Sequence, residues 1–291
     1  MFHGSMVALI TAMASNGKID EDSIRRLVEF HIESGTNAIV AVGTTGESPT
    51  LTHAEAIKVI RSIVEQAKGR VPVIAGSGTN STASSIELTK AAMQAGVDGC
   101  LIVTPYYNRP TQEGLYQHYK AISQQVPIPI ILYNVPNRTG CDIQASTVKR
   151  LASISNIVAI KEATGDVART QEILNLCDND IDVYSGDDKS ALALMEKGAK
   201  GVISVSANVA PKLMAMLCKH ALNQQWDQAK AIDEKLQNLH EALGLEPNPI
   251  PVKWAAMQLG LCEQGIRLPL TPLSDEMKPR IKDAMKQAEL I

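Results

Sequence analysis

The sequence predicts an α/β protein, a closed (β/α)8 barrel of the TIM-barrel class with a helical extension at its C-terminal end. Two observations lead to this fold class. Short apolar runs rich in β-branched residues alternate with segments of helical spacing along most of the chain, and this alternation is typical of a parallel sheet covered by helices. The 291 residues also suffice for eight βα units, which need about 250 residues.

Eight segments are predicted as strands, because each is a short apolar run bounded by turn-forming residues. They are Val7–Thr11, Ala38–Val42, Val71–Ala75, Cys100–Thr104, Ile128–Tyr133, Ile157–Lys161, Asp182–Ser185 and Gly201–Val205. A strand of this kind is buried on both faces of a parallel sheet, so polar residues are expected only at its ends.

The segments between the strands have the spacing of amphipathic helices. The first two apolar faces consist of Ile24, Leu27, Val28 and Ile32, and of Ile57, Ile60, Ile63 and Val64. In the third gap Ser81 and Thr82 precede the apolar residues, and Gly96 is a stop signal. The later gaps predict helices over Gln112–Gln125, Gln144–Ser153, Val167–Cys177 and Lys189–Lys197.

The strand pattern ends near Val205, and we assign residues 1–210 to the barrel and 211–291 to the helical extension. Helical spacing covers Pro211–His220, Trp226–Leu243, Val252–Leu259 and Lys278–Leu290, with a proline-rich connector at Glu246–Pro251. The alternative fold is an open doubly wound sheet. It is disfavoured because no Gly-x-Gly-x-x-Gly motif follows the first strand.

Composition and charge argue against several classes of partner. The net charge of −3 and the 3% aromatic content give no surface suited to nucleic acid. No apolar run approaches the length of about 18 residues that a membrane span needs. Five cysteines are scattered along the chain without a Cys-x-x-Cys pair, so we expect reduced thiols in a cytoplasmic protein and no zinc site.

The chemistry is predicted at the end of the sixth strand, where four apolar residues run directly into Lys161 and Glu162. A lysine at a strand end that opens into a cavity is partly desolvated, which favours the neutral amine. A neutral amine can attack a ketone or aldehyde and form a Schiff base. The alternative at this stage is a solvated lysine just beyond a strand.

Polar and glycine-rich residues follow the other central strands, at the end where barrel enzymes have their active sites. The Gly-Thr-Thr-Gly segment at 43–46 offers backbone N–H groups and the hydroxyls of Thr44 and Thr45, which suit a carboxylate. Tyr133 ends the fifth strand and could exchange a proton beside a Schiff base. Arg138, in the next loop, suits bidentate carboxylate binding. A tyrosine packed in the barrel rim and a surface arginine are the alternatives.

A metal-dependent aldolase is the competing interpretation, because Glu47, Glu162, Asp187 and Asp188 lie near strand ends. Such enzymes usually also need histidine ligands. None of the six histidines ends a predicted strand, so we predict no catalytic metal. We expect the two aspartates to cap the following helix instead.

Five segments together resemble the dihydrodipicolinate synthase family, a family of Schiff-base-forming enzymes that includes N-acetylneuraminate lyase. The segments are Gly43–Ser48, Tyr106–Pro110, Tyr133–Gly140, Lys161–Gly165 and Ser185–Asp188. The likeness covers the whole chain, including Glu246–Trp254 and Arg267–Pro272. Each motif is unspecific alone, but the set is specific.

The resemblance implies a reaction and the residues that carry it. It implies that Lys161 forms an imine with pyruvate, and that the derived enamine adds to L-aspartate 4-semialdehyde in diaminopimelate and lysine biosynthesis. No bound cofactor is expected, because the imine nitrogen is the electron sink. The resemblance further implies a proton relay of Tyr133, Thr44 and Tyr107, with Tyr107 supplied by a neighbouring subunit of a homotetramer, a dimer of dimers. The substrate-binding residues that it implies are Thr45, Arg138, Gly186 and Ile203.

The resemblance also bears on feedback inhibition by lysine. The positions that match the family's lysine site are Ser48, Pro49, His53, Ala56, Asn80, Ser84 and Tyr106. Ala56 stands where sensitive members have histidine, and Ser84 stands where they have a glutamate that can pair with an ammonium group. We therefore predict weak inhibition by lysine or none. The alternative is that a neighbouring carboxylate, Glu55 or Glu87, replaces the missing glutamate.

Two other functions stay open from the sequence. A sister lyase could use the same imine on another aldehyde or 2-keto acid, although Arg138 favours a substrate with a second carboxylate. A non-catalytic barrel could serve as a binding or regulatory protein, but such a protein would not need the set of Lys161, Tyr133, Thr44 and Tyr107. A turnover assay would separate these alternatives.

Overall fold

The computed structural model of the protein describes residues 1–178 and 180–291. Within these ranges eight parallel strands close into a barrel in chain order, which confirms the predicted fold class. The strands are β1 Gly4–Ala8, β2 Ala38–Ala41, β3 Val73–Gly76, β4 Gly99–Val103, β5 Ile130–Asn134, β6 Ile157–Glu162, β7 Asp182–Ser185 and β8 Gly201–Ser204. The pairing of β8 with β1 closes the ring.

Helices occupy the predicted gaps between the strands and the C-terminal part of the described chain. They are α1 Glu21–Glu33, α2 His53–Ala67, α3 Thr82–Gln94, α4 Gln112–Gln125, α5 Pro136–Thr139, α6 Ala145–Ala152, α7 Val167–Leu176, α8 Ala191–Glu196, α9 Pro211–Leu222, α10 Trp226–Ala242, α11 Ile250–Gln258 and α12 Lys278–Gln287. The single turn α5 was not predicted. It begins at Pro136, whose fixed φ suits the first helical position.

Seven of the eight strands differ from their predicted bounds, the first, third and fifth by two or three residues and the others by one. Hydrogen bonding accounts for the shifts of the first and fifth strands. The first strand ends at Ala8 rather than Thr11, because the N–H of Ile10 donates to the Asn208 side chain at 2.9 Å instead of to the sheet. The fifth begins at Ile130 rather than Ile128, since Pro129 has no N–H to donate. The Pro129 carbonyl still accepts the N–H of Cys100 at 2.8 Å.

The barrel has two apolar cores, one inside the ring of strands and one between the strands and the helices. Alternate residues of a strand face opposite sides. Along β6, Ala159 belongs to the inner core and Ile160 to the outer one. This alternation places Lys161 on the same inward side as Ala159, while Glu162 points towards the helices.

A bulge in β6 sets the register of its functional end. Ile130 of β5 pairs with Ile157, but Ile131 pairs with Ala159, so Val158 is the extra residue. Beyond the bulge Tyr133 stands directly opposite Lys161. The insertion of one residue thus decides which β5 side chain faces the lysine.

The C-terminal helices pack on one side of the barrel. The predicted boundary at residue 210 places α9 in the extension, yet α9 contacts β1, β8 and α8, the position of an eighth barrel helix. Outside it, α10 packs on α9 and α12, and α11 contacts α12 and the 3-10 turn Ser206–Asn208 that follows β8. The division at residue 210 stays a prediction.

Two further features concern the state of the cysteines and the character of the helices. All five cysteines are buried and free of disulfides. Burial raises the pKa of Cys100 and of Cys218 to about 12, which keeps both as thiols. Among the residues that the structure describes, no helix combines the length and the apolar character needed to cross a membrane.

Candidate active site

A cavity of about 160 Å³ opens at the carboxyl ends of the strands, above the inner core. It contains six of the eight residues to which the sequence assigned catalysis or substrate binding. These six are Thr44, Thr45, Tyr133, Arg138, Lys161 and Gly186. These six residues come from four strands, β2, β5, β6 and β7, and the loops that follow them. They meet at one end of the barrel, as the position of barrel active sites predicts.

Lys161 and Tyr133 form the centre of this cavity. Only 5% of Lys161 and 7% of Tyr133 is exposed. The Lys161 Nζ lies 4.3 Å from the centroid of the Tyr133 ring. The face of an aromatic ring attracts positive charge, so this ring stabilises a cation at Nζ, whether it is an ammonium or a protonated imine.

Gly186 leaves the space that the lysine side chain occupies. A Cβ atom at position 186 would lie 2.6 Å from the Ala163 Cβ and 2.9 Å from the Lys161 Cε. Both distances are shorter than van der Waals contact allows. Glycine is therefore required here by the approach of the lysine stem.

The Gly43–Glu47 segment, called the carboxylate loop below, forms a tight turn beside the lysine. Its backbone closes through the N–H of Gly46, which donates to the Gly43 carbonyl at 3.0 Å. Thr44 lines the cavity and is partly exposed, whereas Thr45 is 2% exposed. The Thr45 Oγ1 accepts a hydrogen bond of 3.0 Å from the Asn248 side chain. The loop thus offers oriented hydroxyl and N–H groups at the cavity wall.

Arg138 stands at the mouth of the cavity, on the short helix α5. Its side chain is exposed, and Nη2 lies 3.5 Å from the carbonyl oxygen of Asn248, at the limit of a hydrogen bond. The guanidinium therefore has most of its donors available. This position suits the binding of an anionic group that enters from solvent.

Two predicted site residues do not line the cavity. Tyr107 is 90% exposed, and its backbone has a φ of +73°, held by an N–H bond of 3.2 Å to the Thr139 carbonyl. Ile203 is fully buried in the inner core, and Val205, two residues further on, faces the cavity instead. Within one chain, Tyr107 and the lysine are therefore not brought together.

The cavity also contains residues that sequence reasoning did not assign to substrate. Asn248 comes from the proline-rich connector of the extension, and Asn137 and Asp187 come from loops after β5 and β7. The apolar wall includes Val135 and Ala163, which lie two residues beyond Tyr133 and Lys161. Residues two apart along an extended strand face the same side, so this spacing could have identified both as residues of the cavity wall. Asn248 lies far from the barrel strands along the chain, so strand-end reasoning does not reach it, and only the resemblance of the Glu246–Trp254 segment to the family marks it.

Each acidic residue near a strand end is bound by protein donors. Glu47 pairs with Lys253, and Asp188 accepts the N–H groups of Val205 and Ser206 at 3.0 and 2.9 Å. Asp187 accepts the N–H of Ser190 at 3.0 Å. Asp187 thus bonds to Ser190, the residue before α8, but neither aspartate side chain accepts an N–H group of the helix itself. The expectation that the two aspartates cap this helix is therefore wrong.

Glu162 lies behind the cavity, between the barrel and its helices. Its carboxylate accepts hydrogen bonds of 3.0 Å from Asn134 and 2.8 Å from the N–H of Thr164, and Arg169 lies 3.3 Å away. Burial raises the pKa of Glu162 against the effect of these donors. Across the described residues, no three His, Cys, Asp or Glu side chains come close enough to hold a metal ion.

Comparison with known proteins agrees with this arrangement. Residues 1–288 match the model of the dihydrodipicolinate synthetase family. This chain belongs to that family. It is 58% identical to 4-hydroxy-tetrahydrodipicolinate synthase of Nitrosococcus oceani and 54% identical to that of Pseudomonas aeruginosa, each over 100% of both chains. The chain is an enzyme of lysine and diaminopimelate biosynthesis.

Solved structures of dihydrodipicolinate synthases show the same fold. The pyruvate complex of the chloride-inhibited enzyme from Acinetobacter baumannii is 53% identical, with a TM-score of 0.99 over 100% of both chains. A lysine-bound enzyme from Cyanidioschyzon merolae is 37% identical, with a TM-score of 0.97 over 100% of this chain and 99% of that one. The fold that this family uses is therefore preserved throughout the chain.

The positions predicted from the resemblance to form a lysine site lie on neighbouring segments at the barrel rim. Ser48 and Pro49 form a 3-10 turn before α2, and His53 is the exposed first residue of that helix. The other positions belong to α2, to α3 and its preceding loop, and to the loop after β4. They are Ala56, Asn80, Ser84 and Tyr106.

One of the two carboxylates that could replace the missing glutamate is already engaged. Arg267 donates to Glu55 through Nη1 at 2.9 Å and Nη2 at 2.6 Å. This guanidinium, together with the N–H of Thr52, lowers the pKa of Glu55 to about 2. Glu55 is thus held as a carboxylate by its own chain, whereas Glu87 is exposed on α3.

A wider cleft of about 300 Å³ lies at the surface between α1 and α2. Its charged Glu29 is already bound by Arg70 and by Gln66. No residue that lines it follows a barrel strand. The smaller cavity around Lys161 therefore has the stronger claim as the site of chemistry in this family.

Proposed function

We propose that the chain condenses pyruvate with L-aspartate 4-semialdehyde through a Schiff base on Lys161, as a 4-hydroxy-tetrahydrodipicolinate synthase does. The observation that carries this proposal is the buried lysine itself. It lies at a strand end, against the ring of Tyr133 and inside a cavity that also contains a carboxylate loop and an arginine. Family membership and the names of the most similar relatives support the same reaction.

The reaction proceeds in four steps and consumes no cofactor. The Lys161 amine attacks the keto carbon of pyruvate, and loss of water gives the imine. Loss of a methyl proton gives an enamine, whose carbon then adds to the aldehyde carbon of the semialdehyde. The amine of that substrate attacks the former keto carbon, which closes the ring and releases Lys161.

In this proposal, a separate set of protein groups in the cavity binds the carboxylate of each substrate. Thr45 and the N–H groups of the carboxylate loop bind the pyruvate carboxylate, while Arg138 at the mouth binds the carboxylate of the semialdehyde. Gly186 admits the lysine stem, and Ile203 supports the floor of the site from the inner core. This division explains why neither substrate needs a phosphate group for recognition.

The proton relay consists of Tyr133, Thr44 and Tyr107, and it requires a second subunit. Tyr107 is 90% exposed and lies outside the cavity of its own chain, as a residue donated to a neighbour would be. This exposure supports an assembly of at least two subunits. The proposal of a homotetramer, a dimer of dimers, rests on the resemblance to the family, and the proposal of a cytoplasmic location rests on the scattered cysteines. A 42% identical relative is described as a monomeric dihydrodipicolinate synthase variant, so the assembly must be measured for this chain.

We also propose that lysine inhibits this enzyme weakly or not at all. Ser84 and Ala56 lack the charge and the ring that would hold the ligand, and Glu55 is bound to Arg267. The lysine-bound relative from Cyanidioschyzon merolae shows that a protein of this fold can bind lysine. The proposal therefore attributes the weak inhibition to the residues at positions 56 and 84 of this chain and not to the fold.

A trapping experiment tests the reaction directly. Borohydride added with pyruvate should inactivate the enzyme and leave a reduced pyruvate adduct on the peptide that contains Lys161, and Lys161→Arg should remove the adduct. A coupled assay with aspartate semialdehyde then tests the second substrate against other aldehydes. An adduct at another residue, or full activity of the arginine variant, contradicts the imine mechanism. Faster turnover of another aldehyde would indicate a sister lyase of the family.

A further inference from the structure

A buried ion pair connects the carboxylate loop with the C-terminal extension. Lys253 of α11 donates to the Glu47 carboxylate at the end of the loop. The side chain of Glu47 is 0% exposed and that of Lys253 is 4% exposed. The second oxygen of Glu47 accepts the backbone N–H of Arg267 at 3.1 Å. Two separate segments of the extension therefore bind one carboxylate of the loop.

The surroundings of Lys253 make a purely stabilising role a poor explanation. Helix α11 is apolar where it is buried, and its buried residues are Ile250, Pro251, Val252, Trp254, Ala255 and Ala256 besides the lysine. Burial lowers the pKa of Lys253, while the adjacent Glu47 opposes this shift. Replacing a buried ion pair by apolar side chains is often neutral or stabilising. A charged pair at this position therefore calls for another explanation.

The backbone of the loop has a conformation that its own sequence disfavours. Val42 and Glu47, on either side of the turn, have φ values of +55° and +57°. Positive φ is uncommon outside glycine, and for a β-branched residue such as Val42 it is an outlier. Such conformations persist only where surrounding contacts hold them. Lys253 and the N–H of Arg267 supply those contacts at Glu47.

From these observations we propose that the Lys253–Glu47 pair positions the carboxylate loop, and thereby Thr44 and Thr45, for the carboxylate of the keto substrate. The proposal rests on the function proposed above and assigns a role to residues outside the cavity lining. Lys253 and Glu47 are positioning residues, because they act through the loop. The expected effect is selective: binding of a carboxylate suffers, while the amine of Lys161 keeps its reactivity.

The test compares two carbonyl compounds that trap on Lys161 under borohydride, pyruvate and acetaldehyde, which lacks a carboxylate. The variants are Glu47→Gln, which keeps the shape of the side chain, and the double variant Glu47→Gln with Lys253→Met. Lys278→Met removes an exposed ion pair of the same extension and is the control. Mass spectrometry of the peptide that contains Lys161 gives the concentration of each compound at half-maximal adduct.

We expect the half-maximal pyruvate concentration to rise about 10- to 100-fold in the double variant, the scale of a misplaced binding group. The value for acetaldehyde should stay unchanged, and the control should match the wild type for both compounds. The proposal would be overturned if the half-maximal concentration of pyruvate, like that of acetaldehyde, were the same in every variant as in the wild type. It would also be overturned if both Glu47→Gln and the double variant lost the acetaldehyde adduct as well as the pyruvate adduct. Absence of a pyruvate adduct in the wild type would instead contradict the proposed function.

Discussion

Lys161 and Tyr133 stand opposite each other on adjacent parallel strands, with the lysine Nζ 4.3 Å from the centroid of the tyrosine ring. The ring face and the hydroxyl of Tyr133 can therefore serve the lysine in different ways. The face stabilises positive charge at Nζ, and the hydroxyl is the group that the proposed relay uses. Substitutions can separate the two effects.

Tyr133→Phe should keep formation of the pyruvate adduct on Lys161 but lower kcat by about 10²- to 10⁴-fold, the usual worth of general acid–base catalysis. The ring stays over the amine, while the proton donor is lost. Tyr133→Leu should also weaken adduct formation. Borohydride trapping and steady-state rates measure the two effects separately. Equal loss of trapping in both variants would show that the hydroxyl is needed already for the imine.

Gly186→Ala should abolish most activity without unfolding the barrel. The new Cβ would lie 2.9 Å from the Lys161 Cε and 2.6 Å from the Ala163 Cβ, so the lysine must move. A displacement of this kind can cost about 10²-fold in rate. Gly244→Ala is the matched control, because the nearest atom would lie 3.4 Å away. We would measure kcat/KM alongside circular dichroism, and wild-type kcat/KM in the Gly186 variant would contradict the steric argument.

Mixed subunits should show whether Tyr107 acts across an interface. Tyr107→Phe and Lys161→Ala should each be nearly inactive alone. If the tyrosine is donated by a neighbour, hybrids of the two variants contain sites in which both residues are intact. Co-refolded mixtures should then recover a fraction of wild-type activity. Confirmed hybrids without recovery would contradict the donation of Tyr107 across an interface.

Lysine should inhibit the enzyme only at high concentration. A hydrogen bond to a charged group contributes about 1.5–3 kcal/mol, so loss of the glutamate at position 84 should weaken binding roughly 10- to 150-fold. Initial rates at saturating pyruvate across a lysine titration measure this. Half-inhibition well below about 1 mM would show a working site. Ser84→Glu with Ala56→His should restore some inhibition if these two positions are the cause.

The stability of the fold should decrease in mild acid because of His31. This side chain is 0% exposed, its Nδ1 bonds to the Thr36 hydroxyl at 3.0 Å, and burial lowers its pKa from 6.5 to about 3. Below pH 6.5 the unfolded chain binds a proton that the folded chain does not. The free energy of unfolding should therefore fall with decreasing pH, by up to about 1.4 kcal/mol per pH unit from this residue.

His31→Asn is the variant that tests this pH dependence, because asparagine can still bond to Thr36 but does not titrate. Urea unfolding at a fixed protein concentration, between about pH 7 and about pH 5, should give a smaller pH slope for the variant. Burial also lowers the pKa of His118, to about 4, but this residue is present in both proteins, so its contribution to the pH slope cancels in the comparison. Identical slopes would exclude His31 as a source of acid sensitivity.

The sequence by itself determined the fold class, because strand and helix periodicities depend only on which neighbouring residues are apolar. Eight short apolar runs and the helical faces between them predict a barrel, and the strands do close into a barrel in chain order. The rule that barrel strands end in functional residues then brought Lys161, Tyr133 and Thr45 into one hypothesis. These residues do share one cavity.

Only the tertiary structure decided which side chains meet across long sequence distances. The bulge at Val158 sets Tyr133 against Lys161, and it leaves no signal in the local pattern. Asn248 and Lys253 reach Thr45 and Glu47 across about two hundred residues. Local periodicity carries no information on such contacts, because they arise from the packing of the extension on the barrel. Helix α9 is a further example. Its local spacing assigns it to the predicted extension, but in the structure it packs on β1.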